Sequence, residues 1–304
     1  MEIREIGEDE LPALVRIMQA AQPRSDETVS GFVSWRDQAE AMVWLLGERD
    51  GEPVAGGFAL TGWHTPAHRA IGAALVAPNA RGAGAGTEML RALETWARER
   101  GASELEGPIA EEDAPSIDWA GRRGYVEAGR NSRLVLDLTA IAAPSPDPPD
   151  GIEIVPWNAR RELAQGLYEV AREAVPDIPG EEEGDIGTLE EWLARDMESG
   201  SDDPRAVFVA LAGDEVAGFA KLSLSPENHE RAFHDLTGVR RAWRGRGIAA
   251  ALKRTQIAWA KEHGYTSLQT ANEVRNEPIR RLNQRHGYVV EPGSVIVRGS
   301  IAVT

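Results

Sequence analysis

The chain has 304 residues, 42% hydrophobic and 27% charged, a composition typical of a globular protein of about two domains. It contains no Cys, which excludes disulfides, thiolate metal sites and cysteine nucleophiles. The 49 acidic residues outnumber the 33 basic ones, so the net charge of −16 disfavours nucleic-acid binding and favours a cationic small substrate, although it also serves solubility.

Neither end of the chain nor its interior carries a membrane signal. No apolar run approaches the roughly 18 residues that a membrane span needs, and the acidic start MEIREIGEDE lacks the pattern of a signal peptide. We therefore expect a cytoplasmic monomer or homodimer that binds no membrane, no nucleic acid and no metal.

In the first half of the chain, hydrophobic spacing and turn residues predict a series of strands and helices that ends in a hairpin. In chain order they are strand 1–6, helices 9–21 and 28–41, strands 42–47, 54–63 and 69–76, a Gly-rich turn, a helix ending at Gly101, strand 104–109, helix 115–123 and hairpin 125–138.

A proline-rich linker at 140–150 precedes a second half of the same order, so we expect domains at 1–139 and 151–304. The predicted elements are strand 152–156, helices 160–175 and 188–198, strands 207–211, 216–224 and 233–239, helix 247–263, strand 266–271, helix 277–286 and hairpin 288–303.

The segment Leu236–Ala251 joins a strand end to a helix through a turn rich in Arg and Gly. Backbone N–H groups at a helix N-terminus lack partners, and the helix dipole adds positive charge, so such a turn can hold an anion. Gly245 and Gly247 permit close backbone approach, and Arg244 and Arg246 add charge. Taken alone, the turn is equally compatible with a helix entry that carries surface arginines.

The same construction occurs twice in the chain. Val54-Ala55-Gly56 corresponds to 216–218, and from Val76 onward equivalent residues keep one constant spacing. Equivalent pairs include Val76/Val239, Arg81/Arg244, Gly82/Gly245, Gly84/Gly247, Trp96/Trp259, Gly101/Gly264, Pro115/Pro278 and Tyr125/Tyr288. We read the tryptophans as core residues, and the repeated turns as two ligand sites.

Each half resembles the GNAT N-acetyltransferase fold. The family signature Q/R-x-x-G-x-G/A is matched by Arg81-x-x-Gly84-x-Gly86 and by Arg244-x-x-Gly247-x-Ala249. The resemblance implies an α/β chain of two tandem GNAT domains, each with a central, mostly antiparallel mixed sheet flanked by helices.

The resemblance further implies acetyl-CoA as co-substrate, with its pyrophosphate on the signature amides and its pantetheine arm along the preceding strand. In the second half the implied residues are Val239, Arg240, Arg244, Gly245, Arg246, Gly247, Ile248, Ala249 and Asn276. In the first half they are Val76, Arg81, Gly82, Ala83, Gly84, Ala85 and Gly86.

Acetyl transfer to an amine needs a group that removes a proton. By strict alternation one face of the strand carries Phe233, Asp235, Thr237 and Val239, so Asp235 is the candidate base. The alternative is that Asp235 is a strand-edge carboxylate paired to Arg240 or His234. The first-half counterparts Ala70, Gly72, Ala74 and Val76 cannot titrate. We therefore expect the second half to be catalytic and the first half weak or silent.

Many relatives carry a Tyr one turn before the final Gly-aromatic pair, where this chain has Asn283 and, in the first half, Ala120. Asn283 can donate a hydrogen bond to the leaving sulfur, but it does not readily supply a proton. Tyr288 is a weaker candidate and reads as a core residue. The acidic segment with Glu181, Glu182, Glu183 and Asp185 suits a cationic acceptor, or is a solvated loop.

The sequence thus predicts an acetyl-CoA-dependent N-acetyltransferase that acts by direct transfer on a primary amine of a small acceptor. Alternatives are a CoA-binding sensor without turnover, a transferase for a longer acyl group, and an enzyme resembling mycothiol synthase.

Overall fold

The computed structural model describes residues 1–25, 27–62, 65–179, 186–225 and 228–301. They form two compact units, unit 1 from the described residues of 1–130 and 294–301 and unit 2 from those of 131–293. Each unit is a mixed α/β layer structure in which helices cover a central sheet. No helix of the described residues is long and apolar enough to cross a membrane.

The elements of unit 1 follow the predicted order. They are β1 Glu2–Glu5, α1 Leu11–Ala21, α2 Val29–Gln38, β2 Ala41–Arg49, β3 Glu52–Thr61, β4 Arg69–Val76, α3 Ala85–Glu99, β5 Glu104–Ala110 and α4 Ala114–Gly121. The strand β6, Val126–Asp137, begins in this unit.

Unit 2 repeats that order after residues 140–150, which contain no helix or strand. Its elements are β7 Glu153–Pro156, α5 Ala164–Ala174, α6 Leu189–Trp192, β8 Asp202–Ala212, β9 Glu215–Leu224, β10 Arg231–Val239, α7 Ile248–Glu262, β11 Ser267–Glu273 and α8 Glu277–Arg285. The last strand is β12, Val289–Ser300.

The two predicted closing hairpins are wrong, because each is a single long strand. Residues 131–137 of β6 pair with β11 in unit 2, and residues 294–300 of β12 pair with β5 in unit 1. An open edge of β5 or β11 would leave backbone groups unpaired, and the strand from the other half of the chain satisfies them. The units therefore differ from the predicted segments 1–139 and 151–304 at their closing strands.

The helix predicted at 188–198 is also shorter than expected. A capping box at Thr188 and Glu191 starts α6, but the helix ends at Trp192 and continues as a wider π-type turn, Leu193–Met197. Arg195 donates to the carbonyl of Ile186 at 2.8 Å, and this contact ties the turn to the start of the segment.

Hydrophobic residues of each sheet alternate between two helical layers. In β2, Val43 and Leu45 pack with α3, whereas Trp44 and Leu46 pack with α1 and α2. This is the period of two that a strand covered on both faces requires. In unit 2, α5 and α6 cover one face of the sheet and α7 the other.

In each unit two neighbouring strands of the described residues run parallel, and this pair separates before its end. β4 and β5 pair at Arg69↔Glu104, Ala70↔Leu105 and Ile71↔Glu106, and no further. β10 and β11 pair at Arg231↔Ser267, Ala232↔Leu268 and Phe233↔Gln269, and no further. Beyond these pairs, the facing edges of the diverging strands are not paired with each other.

Candidate functional site

The Gly-rich turns adopt the strand–turn–helix geometry that the sequence predicts. Gly82 and Gly84 have φ of +80° and +86°, and Gly84 is the N-cap of α3. Gly245 and Gly247 repeat this at the start of α7, with φ of +76° and +86°. Only glycine adopts such angles without strain, so these positions hold the helix N-terminus open to a ligand.

Each signature Arg fixes its own turn. The Nε of Arg81 donates to the carbonyl of Val76 at 3.3 Å, and the Nε of Arg244 donates to the carbonyl of Val239 at 2.9 Å. The guanidinium of Arg81 also reaches the carbonyl of Ala21 at 3.2 Å. These side chains therefore connect the strand end to the turn, in addition to supplying positive charge.

A cleft of about 630 Å³ in unit 1 joins the diverging strands to the turn. Small residues of β4 leave this space open, since Gly72 has no side chain and Ala73 and Ala74 carry only a methyl group. The lining further includes residues of the turn and of α3, β5 and α4, namely Val76, Arg81, Gly82, Gly84, Ala85, Gly86, Leu90, Glu106, Gly107, Trp119 and Ala120.

Arg123, two residues after the end of α4, is a basic residue of this cleft that was not predicted from the sequence. The guanidinium of Arg123 stacks 4.0 Å from the ring centroid of Trp119 and donates to Oγ1 of Thr87 at 2.7 Å. Thr87 lies in the first turn of α3, so Arg123 places positive charge beside the helix N-terminus. In the sequence, an Arg four positions after an aromatic residue is the pattern that could have indicated this stacking contact.

In unit 2, carboxylates neutralise the arginines around the second turn. Asp177 accepts from Arg241 and lies 2.7 Å from Arg244, and these hydrogen bonds lower the pKa of Asp177. The guanidinium of Arg240, predicted to face pantetheine, instead binds Glu173 at 3.0 Å.

The linker also lies against this turn. Arg254 of α7 donates to the carbonyls of Pro146 and Asp147, at 2.9 and 2.7 Å. Pro149 lies 3.6 Å from the position that a Cβ on Gly247 would take. The second turn is therefore more covered and less positive than its arginines predict.

A buried polar cluster in unit 2 includes Lys253 and Tyr288, the residues equivalent to Leu90 and Tyr125 of the unit 1 cleft lining. His234 contacts Gln256 at 3.0 Å through Nδ1 and the hydroxyl of Tyr288 through Nε2. Lys253, equivalent to Leu90, is 1% exposed with its Nζ 5.6 Å from the Tyr288 ring centroid. Burial lowers the pKa of Lys253 to about 7, and burial together with that nearby charge holds the pKa of His234 well below its usual range.

The prediction that Asp235 shares a face with Val239 is wrong, because β10 contains a bulge. His234 lies opposite Leu222 and Thr237 opposite Ala220, so β10 uses one residue more than β9. The sequence carries a signal for it: the spacing between equivalent residues grows by one between the Val54/Val216 and Val76/Val239 pairs.

The bulge turns Asp235 towards the face covered by α5 and α6. Its Oδ2 lies 2.7 Å from the Nζ of Lys221 and accepts from Ser223 at 3.1 Å. Among the described residues, Asp235 forms no ion pair with Arg240 or His234, the two predicted alternative partners. The carboxylate is still 46% exposed, so it remains accessible from this side.

Asn283 lies on the other side of the sheet. It is fully buried, its Nδ2 donates to Oδ1 of Asn272 at 2.8 Å, and its own Oδ1 has no partner among the described residues. The structure therefore does not bring the two predicted catalytic residues together. Asn276 is the N-cap of α8 without a side-chain capping bond. The acceptor candidates Glu181, Glu182, Glu183 and Asp185 lie outside the described residues.

Comparison with known sequences identifies the family. The acetyltransferase (GNAT) family matches the chain twice, over residues 9–125 and 164–288. The chain belongs to the GNAT acetyltransferase family. Because the two matches cover most of the chain, it is a tandem GNAT protein and an acyltransferase. No curated protein sequence matches it significantly.

Solved structures show the same tandem fold. A GCN5-related N-acetyltransferase from Sphaerobacter thermophilus superposes with a TM-score of 0.80 at 22% identity, covering 99% of this chain and 96% of that one. A tandem GNAT protein from the clavulanic acid biosynthesis pathway gives 0.80 at 18% identity, covering 100% and 99%. A fungal glucosamine N-acetyltransferase region gives 0.74 at 15% identity, covering 98% of this chain and 38% of that one.

Proposed function

We propose that this GNAT protein transfers an acetyl group from acetyl-CoA directly to the primary amine of a small acceptor, and that the donor binds in the cleft of unit 1. The observation that carries the proposal is the continuity of that cleft, which runs from the point where β4 and β5 diverge to the N-terminus of α3. The net charge of −16 supports a cationic acceptor.

The residues of the cleft fit acetyl-CoA. In the described chain, the backbone N–H groups of residues 82–86 donate no backbone hydrogen bond, so five donors are free for a pyrophosphate. A Cβ on Gly86 would lie 3.4 Å from Val76 and 3.5 Å from Trp119, so a larger side chain there would narrow the passage. Beyond Ile71 the free backbone of β4 offers amide partners for the pantetheine arm.

In unit 2 the carboxylate predicted to act as the base, Asp235, faces away from the signature valine. The bulge in β10 turns it to the opposite face, where Lys221 pairs with it. The polar side chains of Lys253 and Tyr288 also take the positions that Leu90 and Tyr125 hold along the unit 1 cleft. We therefore propose unit 1 as the working half, with the second signature as a weaker or silent site.

The test compares matched substitutions at the two helix starts, using the full chain. Gly86→Val should weaken acetyl-CoA binding by at least about 30-fold in calorimetric titration, because the methyl groups of valine enter the space proposed for the pyrophosphate. Each tenfold loss of affinity corresponds to about 1.4 kcal/mol of binding free energy. Ala249→Val, at the same position of α7, should leave the affinity within about twofold. The reverse pattern would place the donor site in unit 2.

Turnover is tested separately by release of free thiol from acetyl-CoA with a panel of primary amines, including polyamines and aminoglycosides. Thiol release above the no-amine rate supports the transferase. Binding of acetyl-CoA without thiol release from any amine would instead support the CoA-binding sensor.

A further inference from the structure

Lys253 of α7 is a buried amine without an anionic partner among the described residues. Its side chain is 1% exposed, and its recorded contact is with the ring of Tyr288, 5.6 Å from Nζ. Burial alone lowers the pKa of Lys253, and no carboxylate of the described chain raises it. The charged form of a buried amine requires an anion close by, so the ammonium form of Lys253 lacks the partner that would stabilise it.

The other titratable groups around Lys253 are basic or neutral. His234 of β10 and His286, which follows α8, both have a pKa below the ordinary value, mainly through burial, and the charge of Lys253 contributes to both. The charge of Arg254, the next residue of α7, also lowers the pKa of His286. The surroundings are therefore net positive whenever Lys253 is protonated.

Gln256 supplies a second group without a partner on the same face of α7. It lies three residues after Lys253 and is 0% exposed, and its Oε1 lies 3.0 Å from Nδ1 of His234. Its Nε2 has no hydrogen-bond partner among the described residues. Because a buried donor without an acceptor is costly, this amide nitrogen indicates an acceptor that the described chain does not supply.

Unit 1 has hydrophobic residues at both equivalent positions. Leu90 and Leu93 of α3 correspond to Lys253 and Gln256, and both leucines are buried in the core of unit 1. Leu90 also lines the unit 1 cleft. The polar pair therefore distinguishes unit 2 at a position that, in unit 1, borders the proposed donor site.

We propose that Lys253 and Gln256 form a binding site in unit 2 for one carboxylate group, either of a small free carboxylate or at the acyl end of a dicarboxylic acyl-CoA. A carboxylate carries one negative charge, which one ammonium balances, and its two oxygens can accept from Nζ and Nε2. A phosphate dianion would bury a second negative charge without a cation. The site goes beyond the proposed function, because it does not depend on acetyl transfer in unit 1.

The site is tested on the full chain with formate as the probe, at about pH 6.5, from the rise of the melting temperature with formate concentration. Lys253→Met should weaken formate binding about tenfold or more, and Gln256→Leu about threefold or more, because each removes one donor to the carboxylate. Lys261→Met is the matched control. It removes the same charge from α7, but Nζ of Lys261 donates to the carbonyl of Leu138 at 2.6 Å, so formate affinity should stay within about twofold.

Calorimetric titration with succinyl-CoA and acetyl-CoA distinguishes the two sources of the carboxylate. For an acyl-CoA, Lys253→Met should weaken succinyl-CoA binding about tenfold or more and leave acetyl-CoA binding within about twofold. Unit 1 is unchanged in this variant, so the difference reports on unit 2. For a free carboxylate, Lys253→Met should weaken formate binding without changing succinyl-CoA binding. Either result supports the site.

The pH dependence and the choice of anion provide the outcomes that would overturn the proposal. Because the pKa of Lys253 is about 7, formate affinity should fall about tenfold or more from pH 7 to pH 9 as the ammonium loses its proton. The site is refuted if neither formate nor succinyl-CoA binds more weakly to Lys253→Met than to wild type. Binding of chloride or inorganic phosphate that depends on Lys253 and is as tight as that of formate would refute the carboxylate assignment.

Discussion

The carboxylate of Asp235 lies 2.7 Å from the ammonium of Lys221, on the face of β10 opposite to Val239. Lys221 is buried and also lies 2.8 Å from Asp202, whose side chain has no exposed surface. Burial opposes the charge of Lys221, but attraction to Asp235 and Asp202 outweighs it and raises the pKa of this lysine. The bulge therefore places Asp235 in a stabilising ion-pair cluster.

The two partners of Lys221 should differ in what they contribute to stability. Lys221→Met leaves Asp202 buried without its cation, so we expect the free energy of unfolding to fall by about 3 kcal/mol or more. Asp235→Asn removes a half-exposed partner and should cost under about 1 kcal/mol. Urea denaturation of both variants measures this, and equal losses would contradict the separation of buried and exposed partners.

Asp235→Asn should also leave catalysis nearly unchanged. Because Asp235 faces away from the signature valine, we expect kcat to stay within about twofold of wild type across the pH profile. A loss of 100-fold, with acetyl-CoA affinity kept, would return the catalytic role to Asp235 and to unit 2.

Lys253 should make the stability of unit 2 depend on pH. Its pKa is about 7 in the folded protein against 10.5 ordinarily, so the unfolded chain binds more protons between these values and stability rises with pH there. The free energy of unfolding should rise by about 1.4 kcal/mol per pH unit, which corresponds to one proton taken up on unfolding. Lys253→Met should be more stable than wild type at pH 7.5, with a smaller advantage at pH 9.5. Parallel stability curves would contradict this.

Arg123 should contribute to donor affinity through its charge at the start of α3. We expect Arg123→Gln to raise the acetyl-CoA Kd about three- to tenfold and to reduce its salt dependence, because one of the cations near the phosphate cradle is lost. Arg100 is the matched control, since it stacks 4.1 Å from Trp96 in the same way but does not line the cleft. A similar loss in Arg100→Gln would show that the effect is not specific to the cleft.

Local patterns were enough to predict most elements and both helix starts. The turn at Arg81–Gly86 contains glycines with positive φ, and a left-handed backbone conformation excludes most other residue types regardless of the surrounding structure. The internal sequence repeat then predicted a second turn of the same kind at Arg244–Ala249. Most of the cofactor residues proposed from the family resemblance lie at or beside these two turns, whereas Asn276 is the N-cap of α8. The unit 1 cleft is lined by all of the residues proposed there except Ala83.

Two features escaped prediction because partners distant in sequence decide them. Strict alternation placed Asp235 beside Val239, but the pairing of β10 with β9 inserts one residue and reverses the face. The ion pair between Glu106 and Arg298, 2.6 Å apart, was not predicted, because it joins β5 to the last strand of the chain.

By itself the sequence determined the duplicated α/β order, the absence of thiol chemistry and the two Gly-rich helix starts, because composition, periodicity and backbone angle are local properties. Only the tertiary structure decided which strand closes each sheet, which face Asp235 takes and which residues line the cleft of unit 1. Those depend on strand register and side-chain volume at positions far apart in the chain, as the contrast between Leu90 in unit 1 and Lys253 in unit 2 shows.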